Sequence, residues 1–398
     1  MKRKLIGNLW NTGLITCLLF FSASTFAVTK KRQQIPNKTV RHEMNTISGT
    51  IRDLGPYIAS EQEFIKEKNK KSILKNLNEL LEKFKNLKNH SEISAQGLSQ
   101  SQAVMTEQLT QTVSLFKAEK RSQARAKFTA ALNLCVNCHT QSPGRELTKL
   151  FQDKDIEKMK ISNFEKAELY FISRDYDKSM GLYDQFLMIS KKSDDDEFIF
   201  KALERQLIYF VKIKKSFSEG KSQFDKYLKA NIFNDKIAKE VEEWSRTMGG
   251  KTLWDGFNAD TAKEEEMEKF MKGFIADDEE GPIFTVTNSS EVYDLNLTSI
   301  LTDYYNIHPE TKLGGRILYW LAILDKRIND ELFFSLGDFY LMSCMEKYSK
   351  DSIAKECYDS YEEDLEINYL SKDKKEFSPE IKERLNGLKK LINYVDEM

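Results

Sequence analysis

The chain has 398 residues, with 61 Lys plus Arg against 62 Asp plus Glu, a formal net charge of −1. Hydrophobic residues make up 40%, enough to bury a sizeable core, and the even charge excludes the concentrated basic surplus of a nucleic-acid-binding domain. Only 17 Gly and 6 Pro accompany 31% charged residues, too few breakers for a β-sandwich or a Rossmann-type domain, so the composition predicts an all-α chain.

The first element is an address. Lys2, Arg3 and Lys4 precede an apolar run from Gly13 to Phe21 and a small-residue stretch from Ser22 to Ala27. That layout predicts a cleaved secretory signal peptide over 1–27, with Thr25 and Ala27 before the cut. Cleavage leaves 58 basic against 62 acidic residues, a net −4, and no later stretch is apolar for long enough to span a membrane. The expected location is therefore the periplasm.

Four amphipathic helices are predicted next. Val40, Met44, Ile47, Ile51 and Leu54 form one stripe, ending at Gly55-Pro56. Ile73, Leu77, Leu80, Phe84 and Leu87 form the second, and Leu98, Met105, Leu109, Val113 and Phe116 the third. The fourth helix runs from about Ala118 through Phe128, Ala131 and Leu132 into Cys135-Val136-Asn137-Cys138-His139. Four such helices with short connections read as an antiparallel bundle over 36–145.

Cys135 to His139 is the C-x-x-C-H motif of covalent haem attachment. Two thiols one helical turn apart can both add to the vinyl groups on one porphyrin edge, and the adjacent His can then offer the proximal iron ligand. A redox dithiol would need a βαβ surround, and a structural zinc a second Cys pair; the sequence offers neither. Cys135 and Cys138 are thus the expected sites of one haem c, and His139 the expected ligand of its iron. On the first helix Met44 lies on the apolar stripe, whereas His42 is about 200° round the helix and faces outward. Of the two, Met44 is the one that faces the bundle interior; Met105 on the third helix is a weaker rival, more readily a core residue. Arg41, Arg121 and Arg125 are candidates to pair with the haem propionates, a solvated helix face being the alternative for each.

A haem motif on the fourth helix, with Met44-Asn45-Thr46-Ile47 on the first, resembles the cytochrome c-prime family and its low-spin four-helix relatives. The resemblance covers residues 36–145. It implies that the first helix supplies the residue facing the distal side of the iron, which makes His139 the proximal and Met44 the distal ligand candidate. A Met there gives a six-coordinate electron-transfer centre, and an apolar residue leaves an open iron for small gases. It also implies a possible homodimer through the first two helices. The sequence departs from the family four residues beyond the His, where Pro143 replaces the common basic residue and Arg145 is the nearest base.

Beyond residue 150 helix pairs are predicted. Ala167, Tyr170, Tyr176, Ser179, Tyr183 and Phe186 resemble the small and aromatic positions of a tetratricopeptide repeat. Ile208, Val211, Phe217, Gly220, Phe224 and Tyr227 repeat the offsets after an acidic loop from Lys191 to Glu197. The expected division is a helical repeat region over 150–245, then a linker over 246–294. That linker holds one charged helix, Thr261 to Phe274, and a β-like run from Ile283 to Thr287. A second repeat region, 295–398, follows, with His308-Pro309 opening a helix. A turn near Tyr348 would let Cys344 and Cys357 form a disulfide across a hairpin.

No HExxH, P-loop or GxSxG is present, so an enzyme is the less favoured class. The leading expectation is a c-type cytochrome that transfers electrons, its repeat region docking a protein partner. A five-coordinate haem binding or sensing nitric oxide or carbon monoxide is the alternative.

Overall fold

The computed structural model describes residues 38–87, 99–140, 151, 153–190, 196–250, 257–274, 291–328, 336–370 and 376–393. The expected signal peptide, Leu98, the acidic stretch 191–195 and the β-like run 283–287 lie outside the described residues. Among those described, regular structure is helical throughout and no strand occurs. No described helix is long and apolar enough to cross a membrane.

Helices α1 (Lys38–Ala59), α2 (Glu61–Ile65), α3 (Lys70–Leu87), α4 (Ser99–Lys117) and α5 (Arg121–Thr140) come first. The stripes expected from periodicity are the buried ones. Ile47, Ile51 and Leu54 meet Ile73, Leu77, Leu80, Phe84 and Leu87, together with Met105, Leu109, Val113, Phe116, Phe128, Ala131 and Leu132, in one apolar cluster. Each large side chain so buried contributes about 1.5–3 kcal/mol before entropy is subtracted.

Two boundaries differ from expectation. Helix α1 continues through Gly55-Pro56 to Ala59. Pro56 is exposed and near the helix end, so the hydrogen bond it removes is one of few remaining. Gly55 serves close approach: a Cβ there would lie 2.5 Å from Cε1 of Phe151. Helix α5 starts at Arg121 rather than Ala118. Glu119 adopts φ 63° and the Lys120 N–H donates to Leu115 O at 3.0 Å, closing α4 first.

The bundle's apolar cluster also takes in Phe151, Ile156, Leu169, Tyr170, Ile172 and Leu336. The core of the 36–145 segment is therefore shared with helices expected to belong to a separate region.

The remainder is a helical array: α6 (Asp153–Glu157), α7 (Asn163–Ile172), α8 (Tyr176–Ile189), α9 (Asp196–Ile208), α10 (Phe217–Ala230), α11 (Asp235–Gly249), α12 (Glu264–Phe274), α13 (Glu291–Ile307), α14 (Gly314–Arg327), α15 (Gly337–Lys347), α16 (Ile353–Tyr369) and α17 (Pro379–Leu391). Helix α9 runs on into a π turn, Tyr209–Ile213. Sequence neighbours pack against one another: α7 with α8, α10 with α11, α14 with α15, and α15 with α16. Ala167, Tyr170, Ser179 and Tyr183 are all buried, as are Ile208, Val211, Gly220 and Phe224 at the same offsets 41 residues on. The small residues permit contact: the Ser179 hydroxyl donates to Ala167 O at 2.9 Å, and a Cβ on Gly220 would lie 2.9 Å from that of Phe210.

The charged helix expected inside the 246–294 linker begins at Glu264, not Thr261, and it is packed. Met267, Phe270 and Met271 are buried against Leu297, Leu301 and Tyr304, with the charges on the outer face. His308-Pro309 does not open a helix. His308 N–H donates to Tyr304 O, closing α13, and Thr311 N–H donates to His308 O in the turn before α14. Cys344 on α15 and Cys357 on α16 form a disulfide across their hairpin, with Cα atoms 6.4 Å apart.

Candidate functional site

The two ends of the bundle are built differently, and that difference positions the run from Cys135 to His139. At one end the helices are pinned by arginines. Arg125 donates from Nε (3.0 Å) and Nη2 (2.7 Å) to Ile58 O, joining the start of α5 to the end of α1. Arg121 donates to Ile65 O at 2.7 Å and pairs with Glu67 and Glu119, while Lys70 also pairs with Glu119. Beneath them Phe64 meets Phe116 edge to face, with centroids 5.4 Å apart.

At the other end Lys83 Nζ donates to Thr46 O (3.3 Å) and Thr50 Oγ1 (2.9 Å), joining α3 to α1. The same ammonium hydrogen-bonds Glu79 and holds its carboxyl below the usual range. Gln102 Nε2 donates to Phe84 O at 2.7 Å, joining α4 to α3.

These rungs set the register. Met44 lies fourteen residues before Ile58 on α1, and His139 fourteen residues after Arg125 on the antiparallel α5. At about 1.5 Å per residue both stand roughly 21 Å from the arginine-pinned end, level with each other. Cys135 and Cys138 lie on the same terminal turns of α5, one helical turn apart. The backbone of all three motif residues is helical; their side chains, and that of Arg41, lie outside the described residues, as do Pro143 and Arg145.

Met44 is half-buried and packs against the apolar cluster, and His42 is exposed. Met105 on α4 is buried, one turn further in than Gln102. Val104, Leu132 and Leu134 are buried on the flanking turns. The donor set of the motif, two thiols and an imidazole beside an apolar stripe carrying a thioether, fits a covalent haem. Cys135 and Cys138 would hold it, with His139 and Met44 as the candidates to ligate its iron. Among the described residues no group of three His, Cys, Asp or Glu side chains could hold a metal ion.

Two sequence candidates move elsewhere. Arg121 and Arg125 are engaged at the far end of the bundle, so they staple helix ends and do not belong to a propionate site. Sequence reasoning also missed Lys83 and Gln102, whose contacts set the level of the site. Their signal is faint, a single polar residue next to an apolar stripe.

No protein-family model, no curated protein and no solved structure matches this chain.

Proposed function

We propose that this chain is an exported, periplasmic c-type cytochrome that binds one covalent haem c and transfers electrons. Its helical array, read as degenerate tetratricopeptide-like repeats, docks a protein partner. One observation carries the reading: Cys135-Val136-Asn137-Cys138-His139 occupies the last turns of a bundle helix, level with Met44 on the antiparallel neighbour. The repeat reading is supported by the matched burial of Ala167, Ser179 and Tyr183 with Ile208, Gly220 and Phe224.

When bound, the haem supplies a one-electron ferric/ferrous couple. The chain's own work is holding and shielding. Cys135 and Cys138 would hold the group covalently, His139 would offer its imidazole to the iron, and the stripe around Met44 would keep water away from it. With the Met44 sulfur as a second ligand, a bound haem would serve electron transfer at a raised potential. Met44 acting as an ordinary core side chain would favour the gas-binding reading, and its packing against the apolar cluster is the observation on that side.

Absorption spectra of the exported protein in both oxidation states test this, with Met44→Ala alongside. A sulfur-to-iron charge-transfer band in the oxidised form, lost in the variant, is the expected result. A high-spin spectrum that shifts on adding carbon monoxide transfers the function to gas binding. Protein without covalently retained haem refutes both.

A further inference from the structure

Helix α13 joins the two halves of the array. Val292 and Leu295 near its start are buried with Val241 and Trp244 of α11, whereas Leu297, Leu301 and Tyr304 are buried with α12 and α14. Both halves reach the bundle. Leu169, Tyr170 and Ile172 of the first half lie in its apolar cluster, as does Leu336 of the second, and Arg384 on α17 lies within electrostatic reach of Glu107 on α4. The α11–α13 seam is thus the joint between two arms that grip one bundle.

The chemistry of that seam is unusual for a structural joint. Glu291 and Asp294 stand one turn apart on α13, on the same face. Asp294 is only 3% exposed. Glu291 Oε2 and Asp294 Oδ1 are buried without a hydrogen-bond partner among the described residues, and the Trp244 indole lies against the Glu291 carboxyl. Glu240 and Glu243 face Glu291 from α11, and Lys236 and Lys239 lie beside Glu240 on that helix. The cation facing Asp294 is Arg327 of α14, whose Nε is 3.2 Å from Oδ2. Acid groups therefore outnumber bases inside the seam, and ionised oxygens there are left uncompensated.

We propose that Glu291 and Asp294, faced by Glu240 and Glu243 of α11, form a proton-operated hinge between the two halves of the array. Burial pushes the Glu291 carboxyl up to about 7, with Glu240 adding to the rise and Trp244 opposing it. Burial likewise pushes Asp294 up to about 6 against the pull of Arg327. A carboxyl raised in the packed state prefers its proton there. The seam is accordingly firm below the ordinary carboxylate range and loosens as pH rises through 6 to 7. Protonated, the two carboxyls shed the charge that burial disfavours; ionised, they repel each other and the α11 glutamates, and the seam loosens.

Hydrogen exchange of the full haem-loaded chain, followed by peptide mass spectrometry from pH 5.5 to 8, tests the hinge. After correction for the intrinsic pH dependence, peptides over 240–248 and 291–301 are expected to exchange about tenfold faster or more at pH 8 than at 5.5. In the Glu291→Gln/Asp294→Asn double variant that change should vanish, while 73–84 in the bundle core is unaffected in both proteins. Glu240→Gln, a milder change on the more accessible side, should move the midpoint to lower pH by relieving repulsion. Unchanged protection in the wild type across this range overturns the proposal, as does an equal pH response in the double variant or an unmoved midpoint in Glu240→Gln.

Discussion

The bundle and the array are both helical, yet they are held together by different physics. In the bundle the charged contacts lie at the ends and surface, and two of its buried polar groups, Thr50 and Thr112, donate to carbonyls of their own helix, at Thr46 O and Gln108 O. The array buries charge. Glu168 on α7 receives hydrogen bonds from Arg205 on α9 at 3.1 and 3.4 Å and from the Tyr183 hydroxyl, with Lys201 3.3 Å away. Arg205 is 3% exposed and its guanidinium lies 4.9 Å from the Phe171 ring centroid. A stripe of leucines accepts many partners, whereas a buried carboxylate accepts few. The bundle can therefore be read from periodicity, while the array's joints depend on which charge meets which.

The largest test of this comparison is to cut between the regions. A chain ending at residue 145 loses Phe151, Ile156, Leu169, Tyr170 and Ile172 from the bundle's own core. At about 1.5–3 kcal/mol for each fully buried side chain, that loss rivals the roughly 5–15 kcal/mol that keeps a domain folded. We expect the 28–145 fragment to aggregate or unfold, and a 28–190 fragment, which keeps α7 and α8, to fold and retain haem. Circular dichroism melts and haem stoichiometry of the two fragments decide it. A stable 28–145 fragment would make the bundle independent after all.

Within the array, Arg205→Met should destabilise by about 3–5 kcal/mol in chemical denaturation, because Glu168 is left buried and unpaired. Burial alone disfavours the Glu168 charge, yet Arg205, Lys201 and the Tyr183 hydroxyl hold its carboxyl down at about 2. A carboxyl depressed in the folded state contributes stability above the ordinary carboxylate range, and that stability is lost as pH falls from about 4 toward 2. The wild-type array should loosen over that window before the bundle does, as read by hydrogen exchange over 163–189 and 70–87. An Arg205→Met protein with wild-type stability would mean that the pair is incidental.

These contrasts explain what the sequence revealed. The C-x-x-C-H run stands out because its spacing is itself a sequence pattern, and the first helices because their stripes recur in steps of three and four. Gly55-Pro56 misled as a helix stop because its use is tertiary, seating Phe151. The roles of Arg121 and Arg125, weighed as solvated faces or propionate partners, escaped the sequence because an arginine on a helix looks the same whether it pins a distant helix end or not. The partnership of Glu168 with Arg205, and the seam at Glu291, join residues 37 or more positions apart with no periodic signal. Only the folded chain shows them.

The smallest effect separates the two regions at a single kind of residue. Gly49 sits in the middle of α1 with nothing within 4 Å of where its Cβ would lie. Replacing it with Ala should stabilise the protein by about 0.5–1 kcal/mol, because the helix loses a flexible residue and gains no clash. Gly220 on α10 is also helical, but its Cβ would come within 2.7 Å of Met248 Sδ and 2.9 Å of Phe210 Cβ. The sulfur can swing away; the Phe210 Cβ, fixed to its backbone in the π turn, can do so only by moving the helix. Gly220→Ala should therefore destabilise by about 1–3 kcal/mol. Paired denaturation curves give both signs in one experiment. Two losses would mean that α1 is approached at Gly49 as closely as the array helices approach each other, and two gains that the π turn yields more readily than its packing implies.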